Sequence, residues 1–509
     1  MRPVNRVIGN TFVLYARMGI TMFISLYTTR VILAALGVHD FGIYNVVAGS
    51  IAMLLFLNAS MTAATQRFMS YAEGMGDKKR QIIIFNVAIR LHFAIGIVVV
   101  LLLEGAGYFF FNGILRIEPD RMHAARLLYQ FMVASTFFTI QAVPYDAVVN
   151  AHENMVFLAI LNVVESVLKL CIALYISICR GDRLIVYGLQ MASIVVLLFI
   201  VRIMYCRKYY PEARMVPHLA PLDDLREMTG FAGWTFVGTA SSMLANYGQG
   251  IILNMFFGTA VNAAQGVAGQ ICGQISVLSR NMLQAVNPII AKSEGAGSRR
   301  MMVETTVISC KFSYLLIMIP GIPIIMEMDT LFSFWLKEVP PYAVIFTRLL
   351  IIRAMLEQLF LPLSTSISAV GRIRNYQIVQ SITSIMAIAV GCLTFKIGME
   401  PVSIYYVFIL YAIVNATTTM FYANKLCGIS YLEFISRAVW PAAITTCVSL
   451  PFALIPYFLM DSSLIRIPVV FFVSVISSFV AIFLAGMTGD ERLFVVQTIQ
   501  RLWLRLRER

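Results

Sequence analysis

Charge is what this sequence has least of. Asp, Glu, Lys and Arg together make up 13% of its 509 residues, against 59% hydrophobic, and the mean hydropathy is +0.81. A soluble domain carries roughly 25% charged residues because its surface must face water, so that class is excluded. Catalytic signatures are missing as well. There is no Walker A loop, no His-Glu-x-x-His helix, no Gly-x-Ser-x-Gly elbow and no zinc-ligand spacing. The eight cysteines, among them Cys171, Cys272, Cys392 and Cys447, fall mostly inside apolar runs. Their spacing fits neither a metal site nor an extracellular disulfide framework, so packing roles are expected. No cofactor is expected.

The apolar residues fall in blocks of about 20 or more, the length that spans a ~30 Å hydrocarbon core. Backbone in lipid must satisfy its own hydrogen bonds, so such blocks are helices. The sequence therefore predicts an all-α polytopic membrane protein of about fourteen helices. The spans are 9–36, 42–71, 82–111, 124–151, 156–179, 184–201, 230–257, 263–291, 305–326, 342–370, 376–395, 402–423, 439–459 and 467–487. The first is too long for a signal segment and has no cleavage site, so it reads as a retained span.

The net charge of +13 reports topology rather than nucleic acid. The amino terminus and the loops on its side hold 22 lysines and arginines; the opposite loops hold seven. The positive-inside rule puts both termini in the cytoplasm. The carboxy-terminal stretch Asp490 to Arg509, alternating Leu and Trp with Arg, suits either a basic interfacial helix or a plain positive-inside tail.

An internal repeat runs through the chain. Glu73-Gly74-Met75-Gly76 returns 221 residues later as Glu294-Gly295-Ala296-Gly297, and Gly37 matches Gly258 at the same offset. Arg126-Leu127-Leu128 recurs as Arg348-Leu349-Leu350, and Gly9-Asn10-Thr11-Phe12-Val13 as Gly233-Trp234-Thr235-Phe236-Val237. The organisation expected is an N-terminal lobe of six spans (1–210), a Pro-bearing cytoplasmic linker (211–229), a C-terminal lobe of six spans (230–424), and two added spans with a basic tail (425–509). Six helices per repeat is an even number, so the halves should share one membrane orientation and relate by a pseudo-two-fold axis along the membrane normal, with the substrate path at their interface.

Ten basic residues lie inside the spans: Arg17, Arg30, Arg67, Arg90, Arg126, Lys169, Arg280, Lys311, Arg348 and Arg353. Only four acids accompany them, Glu104, Asp146, Glu165 and Glu357. Each charge near the bilayer centre costs roughly 2.5–3.5 kcal/mol on insertion scales, so it should face protein or a wet cavity. Arg67, Arg126, Arg280 and Arg348 lie near span ends, where long side chains can reach headgroups. Glu165 with Lys169 and Arg353 with Glu357 stand four apart, the spacing of a self-neutralising helix pair, although Arg353 also suits a substrate role. Arg17 and Arg30 share a span that has no acid, and Arg90 and Lys311 are related by the 221-residue offset. These four are the first candidates for a cationic transport path; hydrogen bonding to backbone carbonyls is the competing reading. A cationic cavity calls for an anionic guest, and arginine grips phosphate bidentately. Asn10, Thr28, Thr29, Asn58, Gln66, Asn246, Gln249 and Gln274 could bond sugar hydroxyls, or equally hold helices together.

The stretch Thr28-Thr29-Arg30-Val31-Ile32-Leu33-Ala34-Ala35-Leu36-Gly37, continuing through Asp40-Phe41-Gly42-Ile43-Tyr44-Asn45-Val46-Val47, resembles the first helix junction of bacterial polysaccharide flippases. Ala64-Thr65-Gln66-Arg67-Phe68 and the Glu-Gly loop fit the same pattern. Those proteins belong to the multidrug/oligosaccharidyl-lipid/polysaccharide exporter superfamily. The resemblance implies a V-shaped pair of lobes, alternating access, residence in the bacterial cytoplasmic membrane and an undecaprenyl-pyrophosphate-linked oligosaccharide as cargo. Membrane lipids and other polysaccharide-assembly proteins are the partners it implies, with no nucleic acid. It also implies a cavity arginine on the first helix, which Arg30 matches by position. The drug-exporting branch relies instead on a carboxylate in that helix, and this first span has none. A cation-coupled exporter would need Asp146 or Glu165 in its place. A membrane enzyme such as a polymerase would need a large outer loop, and the longest outer connection, 327–341, is short.

The charge count yields the first prediction. In a background without the native cysteines, Lys78→Cys and Arg299→Cys should react with an impermeant thiol reagent only from the cytoplasmic side. Labelling of either position from outside intact cells would reverse the orientation.

Overall fold

The computed structural model describes residues 3–52, 56–114, 118–214, 216, 221–335, 339–489 and 491–493. Among them the chain is helical throughout, with no strand. Helix α1 runs Pro3–Ala52 and is broken at Gly37 (φ 78°); α2 is Phe56–Met75, α3 Lys78–Phe109, α4 Met122–Ala151, α5 Met155–Ile178 and α6 Arg183–Tyr209. Helix α7, Leu222–Gly295, is broken at Gly258 (φ 79°). It is followed by α8 Arg299–Trp335, α9 Ala343–Val370, α10 Arg374–Lys396, α11 Ser403–Cys427, the single turn α12 Tyr431–Phe434, α13 Trp440–Leu459 and α14 Arg466–Ala481. Each of the fourteen expected spans meets helix. Spans 1 and 2 meet at Gly37 and spans 7 and 8 at Gly258, each pair joined by one residue out of helical geometry. Only glycine adopts that positive φ without a Cβ penalty.

Nine helices among the described residues are long and apolar enough to cross a membrane, and the chain is a multi-pass membrane protein. Polar side chains open several helices where the chain has turned. Asp77 accepts from the Arg80 amide, Asn154 from Phe157, and Asp182 from Leu184 and Ile185. Each satisfies a donor that the first helical turn leaves open.

The chain divides into two compact units. The first comprises Met1–Ala240 with Gln284–Arg299, the second Ser241–Leu283 with Arg300–Arg509. In the first unit, α3 and α4 pack Val99, Leu103, Leu128 and Tyr129 into one cluster, and the Tyr129 hydroxyl donates to the Leu103 carbonyl at 2.5 Å. In the second, Phe346 of α9 stacks on Tyr405 of α11 with ring centroids 4.2 Å apart. The two closing helices belong to this unit, where buried Arg466 at the start of α14 donates to Glu327 of α8 at 3.0 Å. Lipid tails are as apolar as these cores, so dispersion and interhelical hydrogen bonds hold them together rather than exclusion of water.

The repeat survives in backbone detail. Gly76 and Gly297, 221 apart like Gly37 and Gly258, are also left-handed at φ 68° and 71°. Within the first unit, the ends of α2 and α7 cross with no room for side chains. A Cβ built on Gly74 would collide with the Lys292 carbonyl, and one on Gly295 with the Tyr71 carbonyl. Residue 74 maps to 295 and 71 to 292 under the 221-residue offset, so the crossing is its own image. Such reciprocity marks a local two-fold axis.

The crossing is tested by Gly74→Ala and Gly295→Ala. Each forces a backbone shift, expected to cost about 1–3 kcal/mol and to lower the melting temperature of the purified protein. Gly266→Ala, whose new Cβ meets nothing within 4 Å, should melt at or above the wild-type temperature. Equal melting of all three variants would remove the crossing as a structural requirement.

Candidate functional site

The structure distributes the five candidate cations over both units. Arg17, Arg30 and Arg90 lie in the first unit and Lys311 and Arg353 in the second. Arg30 occupies α1 seven residues before the Gly37 break; its side chain, like those of Asn10 and Thr29, lies outside the described residues, as does most of the basic tail. Arg17 is half-buried on the same helix. Arg90 is exposed and, with Phe93, Gln141, Tyr145 and Phe199, lines a cleft of about 280 Å³ between α3, α4 and α6.

Lys311 has a different setting from its repeat partner Arg90. Its side chain is 1% exposed, and its Nζ donates to Glu491, beyond α14, at 2.6 Å. Arg353 is also buried. Its Nε donates to Glu357 at 2.7 Å, its Nη2 to Asn246 of α7 at 3.2 Å, and its guanidinium lies over the Phe408 ring at 4.9 Å. The amide of Gln249, one turn along α7 from Asn246, is buried with its Nε2 unbonded. Thr28 and Asn246 donate back to their own helix, to Ile24 and Ser242.

The pairs expected from spacing are formed. Lys169 meets Glu165 at 2.6 Å, as Arg353 meets Glu357. Asp146, the alternative coupling carboxylate, accepts from Arg202 of α6 at 2.8 Å. Arg67 lies over three rings, Phe68, Tyr71 and Phe231. Arg348 donates to the Ile325 carbonyl and to Asp329, and Arg280 to the Gly273 carbonyl.

Two clusters escaped the sequence reading, because each joins residues 60 or more positions apart. At one end of the first unit, Arg121 forks between Asp40 and Asp182. Burial alone would lower the Arg121 guanidinium, but hydrogen bonds to both aspartates carry it above its ordinary value. The three loops joined there are all expected on the outer side. At the other end, His152 lies between Glu212 and Glu73, and Lys292 reaches Glu153 at 3.2 Å. These four segments are all expected on the cytoplasmic side. Burial would raise the Glu212 carboxyl, yet the hydrogen bond from His152 and its own backbone amide hold it below the ordinary value. The signals were faint: one of five histidines, and a glutamate in the repeated Glu-Gly loop.

Residues 7–294 match the family described as polysaccharide biosynthesis protein. No curated protein matches the chain significantly. Among solved structures, an outward-facing multidrug resistance MATE family transporter of the MOP superfamily is similar over 84% of this chain and 96% of its own, at 12% identity and TM-score 0.69. MATE in the straight conformation gives the same coverage at 13% identity and TM-score 0.70. A MOP superfamily transporter from Pyrococcus furiosus, described by a binding pocket of reverse polarity that suggests a different function, also covers 84% and 96%, at 12% identity and TM-score 0.68. At these identities the likeness shows the fold.

The Lys311–Glu491 pair can be tested directly. Glu491→Gln leaves a buried ammonium without its counter-charge, which should destabilise by about 3 kcal/mol or more and lower the melting temperature. Adding Lys311→Met should restore much of the loss. A double variant no more stable than the single one would deny the pairing.

Proposed function

The chain belongs to the polysaccharide biosynthesis protein family, and from that membership we propose that it flips an undecaprenyl-pyrophosphate-linked oligosaccharide across the bacterial cytoplasmic membrane by alternating access, for surface polysaccharide such as lipopolysaccharide. It is a transporter of the MOP fold and not an enzyme. The observation that carries the reading is the charge inside the spans. Ten basic residues stand against four acids, and the first span has Arg17 and Arg30 with no carboxylate. The Pyrococcus furiosus neighbour is likewise set apart by the polarity of its pocket.

In this reading Arg30, helped by Arg17, Arg90 and Arg353, holds the pyrophosphate while the helices around it rearrange; Lys311, paired with Glu491, is the candidate least free to join them. Arginine offers a planar fork that matches two phosphate oxygens at once. Uncharged polar groups such as Asn246 and Gln249 are suited to sugar hydroxyls. Membrane lipids and other polysaccharide-assembly proteins are the partners, both termini face the cytoplasm, and nucleic acid has no part.

A second reading, cation-coupled export of small molecules, is favoured by the MATE neighbours and would work through Asp146 or Glu165. Against it, both carboxylates already hold a basic partner, Arg202 and Lys169.

Arg30→Ala separates the readings. A charge-assisted bond is worth roughly 1.5–3 kcal/mol, so its loss should weaken anion binding about tenfold to a hundredfold. Polymer export should fail while the protein still accumulates in the membrane, and Arg30→Lys should rescue only in part. Near-normal export by Arg30→Gln at matched protein levels would rule out Arg30 as the anchor. Drug or dye efflux driven by a proton or sodium gradient, abolished by Asp146→Asn or Glu165→Gln, would establish the exporter reading instead.

A further inference from the structure

We infer that Glu73, His152 and Glu212 form a binding site for a divalent transition cation of the zinc type at one end of the first unit, independent of the transported substrate. The three ligands come from three segments: the end of α2, the α4–α5 turn and the stretch that follows α6. Their donor atoms all lie within 4.8 Å of one another.

His152 bridges the two carboxylates, its Nε2 hydrogen-bonded to Glu212 and its Nδ1 facing Glu73, and a bound cation would replace the proton between them. Two ligands each about 2.0–2.1 Å from a tetrahedral ion stand about 3.4 Å apart. His152 Nδ1 and Glu73 Oε1 are 3.4 Å apart, too long for a good hydrogen bond. The Lys78 ammonium stays 3.5 Å from Glu73 and 3.8 Å from Glu212, and is itself 59% exposed. Lys292 stays 3.8 Å from Glu73 and serves Glu153 at closer range. The centre therefore sets two carboxylates against two ammoniums, neither closer than 3.5 Å, and that of Lys78 can swing into solvent.

Independent support comes from Glu212. Its side chain is 1% exposed, and its Oε2 is buried with no hydrogen-bond partner. The Lys78 ammonium faces that oxygen from 3.8 Å, beyond hydrogen-bond reach, so a bound cation would complete its shell. The supporting shell is also built. Gln81 Nε2 donates to Glu73 Oε2 at 2.8 Å, and the His152 ring stacks on Tyr210 at 4.4 Å. Asn154 donates to the Tyr210 hydroxyl at 3.0 Å. Partners of this kind orient ligands and raise affinity. One imidazole with two carboxylates suits Zn²⁺, Mn²⁺ or Fe²⁺ over softer ions.

The test uses tag-free, full-length protein in detergent, stripped with chelator and titrated with zinc chloride. Wild type should take up one saturable equivalent and melt at a higher temperature with it. Gln81→Ala should weaken binding about tenfold, and His152→Ala should abolish it while eluting as wild type on gel filtration. The His152→Cys variant provides a readout that a merely structural role would not give. Loaded with cobalt, it should show a sulfur-to-metal charge-transfer band that wild type lacks. Absence of saturable uptake by wild type, unchanged affinity in His152→Ala, or a silent cobalt spectrum of His152→Cys would each overturn the site. Polymer export by Arg30 variants is a separate measurement, so failure here leaves the flippase reading standing.

Discussion

A charge placed inside an apolar helix bundle must find a partner, and much of this structure follows from that requirement. Burying an ion without one costs several kcal/mol, while a paired and hydrogen-bonded ion roughly breaks even. The four carboxylates of the spans are all engaged: Asp146 by Arg202, Glu165 by Lys169, Glu357 by Arg353 and Glu104 by the Gln130 amide. Acids just outside the spans serve as well, Glu491 for Lys311 and Glu327 for Arg466. Other arginines settle on rings or carbonyls, as Arg67, Arg280 and Arg348 do. The supply of acid is thus used up locally, and the positive excess of the spans is a property of the whole bundle.

The two repeats answer this requirement differently while keeping one backbone plan. The plan is visible where geometry leaves no choice. Gly37 with Gly258 and Gly76 with Gly297 take the same left-handed conformation, which only glycine holds cheaply. Gly74 and Gly295 stand where a backbone carbonyl fills the place of a side chain. Side chains have diverged around that plan. Arg90 opens onto an aromatic cleft, whereas its equivalent Lys311 is sealed against Glu491. Two closing helices pinned by Arg466 to Glu327 add to the second unit what the first lacks.

Helix number, the repeat and the short-range pairs were legible in the sequence, because each rests on spacing. A 20-residue apolar block has one stable form in lipid, and residues four apart on a helix must meet. The Arg353–Glu357 and Glu165–Lys169 pairs needed no tertiary information. The fork of Arg121 between Asp40 and Asp182 was hidden, since nothing local says which loops share one end of a bundle. The same holds for His152, whose partners lie 60 and 79 residues away in sequence. The setting of Lys311 was illegible for a related reason: its counter-ion comes from a segment outside the repeat, so the 221-residue offset carried no trace of it.

The two candidate cations of the second unit, Lys311 and Arg353, are not equally available to an anion. Arg353 shares its charge with a neighbour one helical turn away whose side chain is 37% exposed. That contact is a charge-assisted hydrogen bond of the same kind as one to phosphate, worth roughly 1.5–3 kcal/mol, and its acid side is open. On the proposed flippase reading a pyrophosphate would exchange with Glu357 at little net cost, and the guanidinium would still rest on Phe408 and on Asn246. Lys311 is bound to a counter-ion in a nearly closed environment, where separating the pair costs far more than one phosphate contact returns. An anion entering the second unit is expected to meet Arg353 and leave Lys311 in place. On that reading the more open pair is the better binding site, because a carrier needs charges that can be given up and recovered in each cycle.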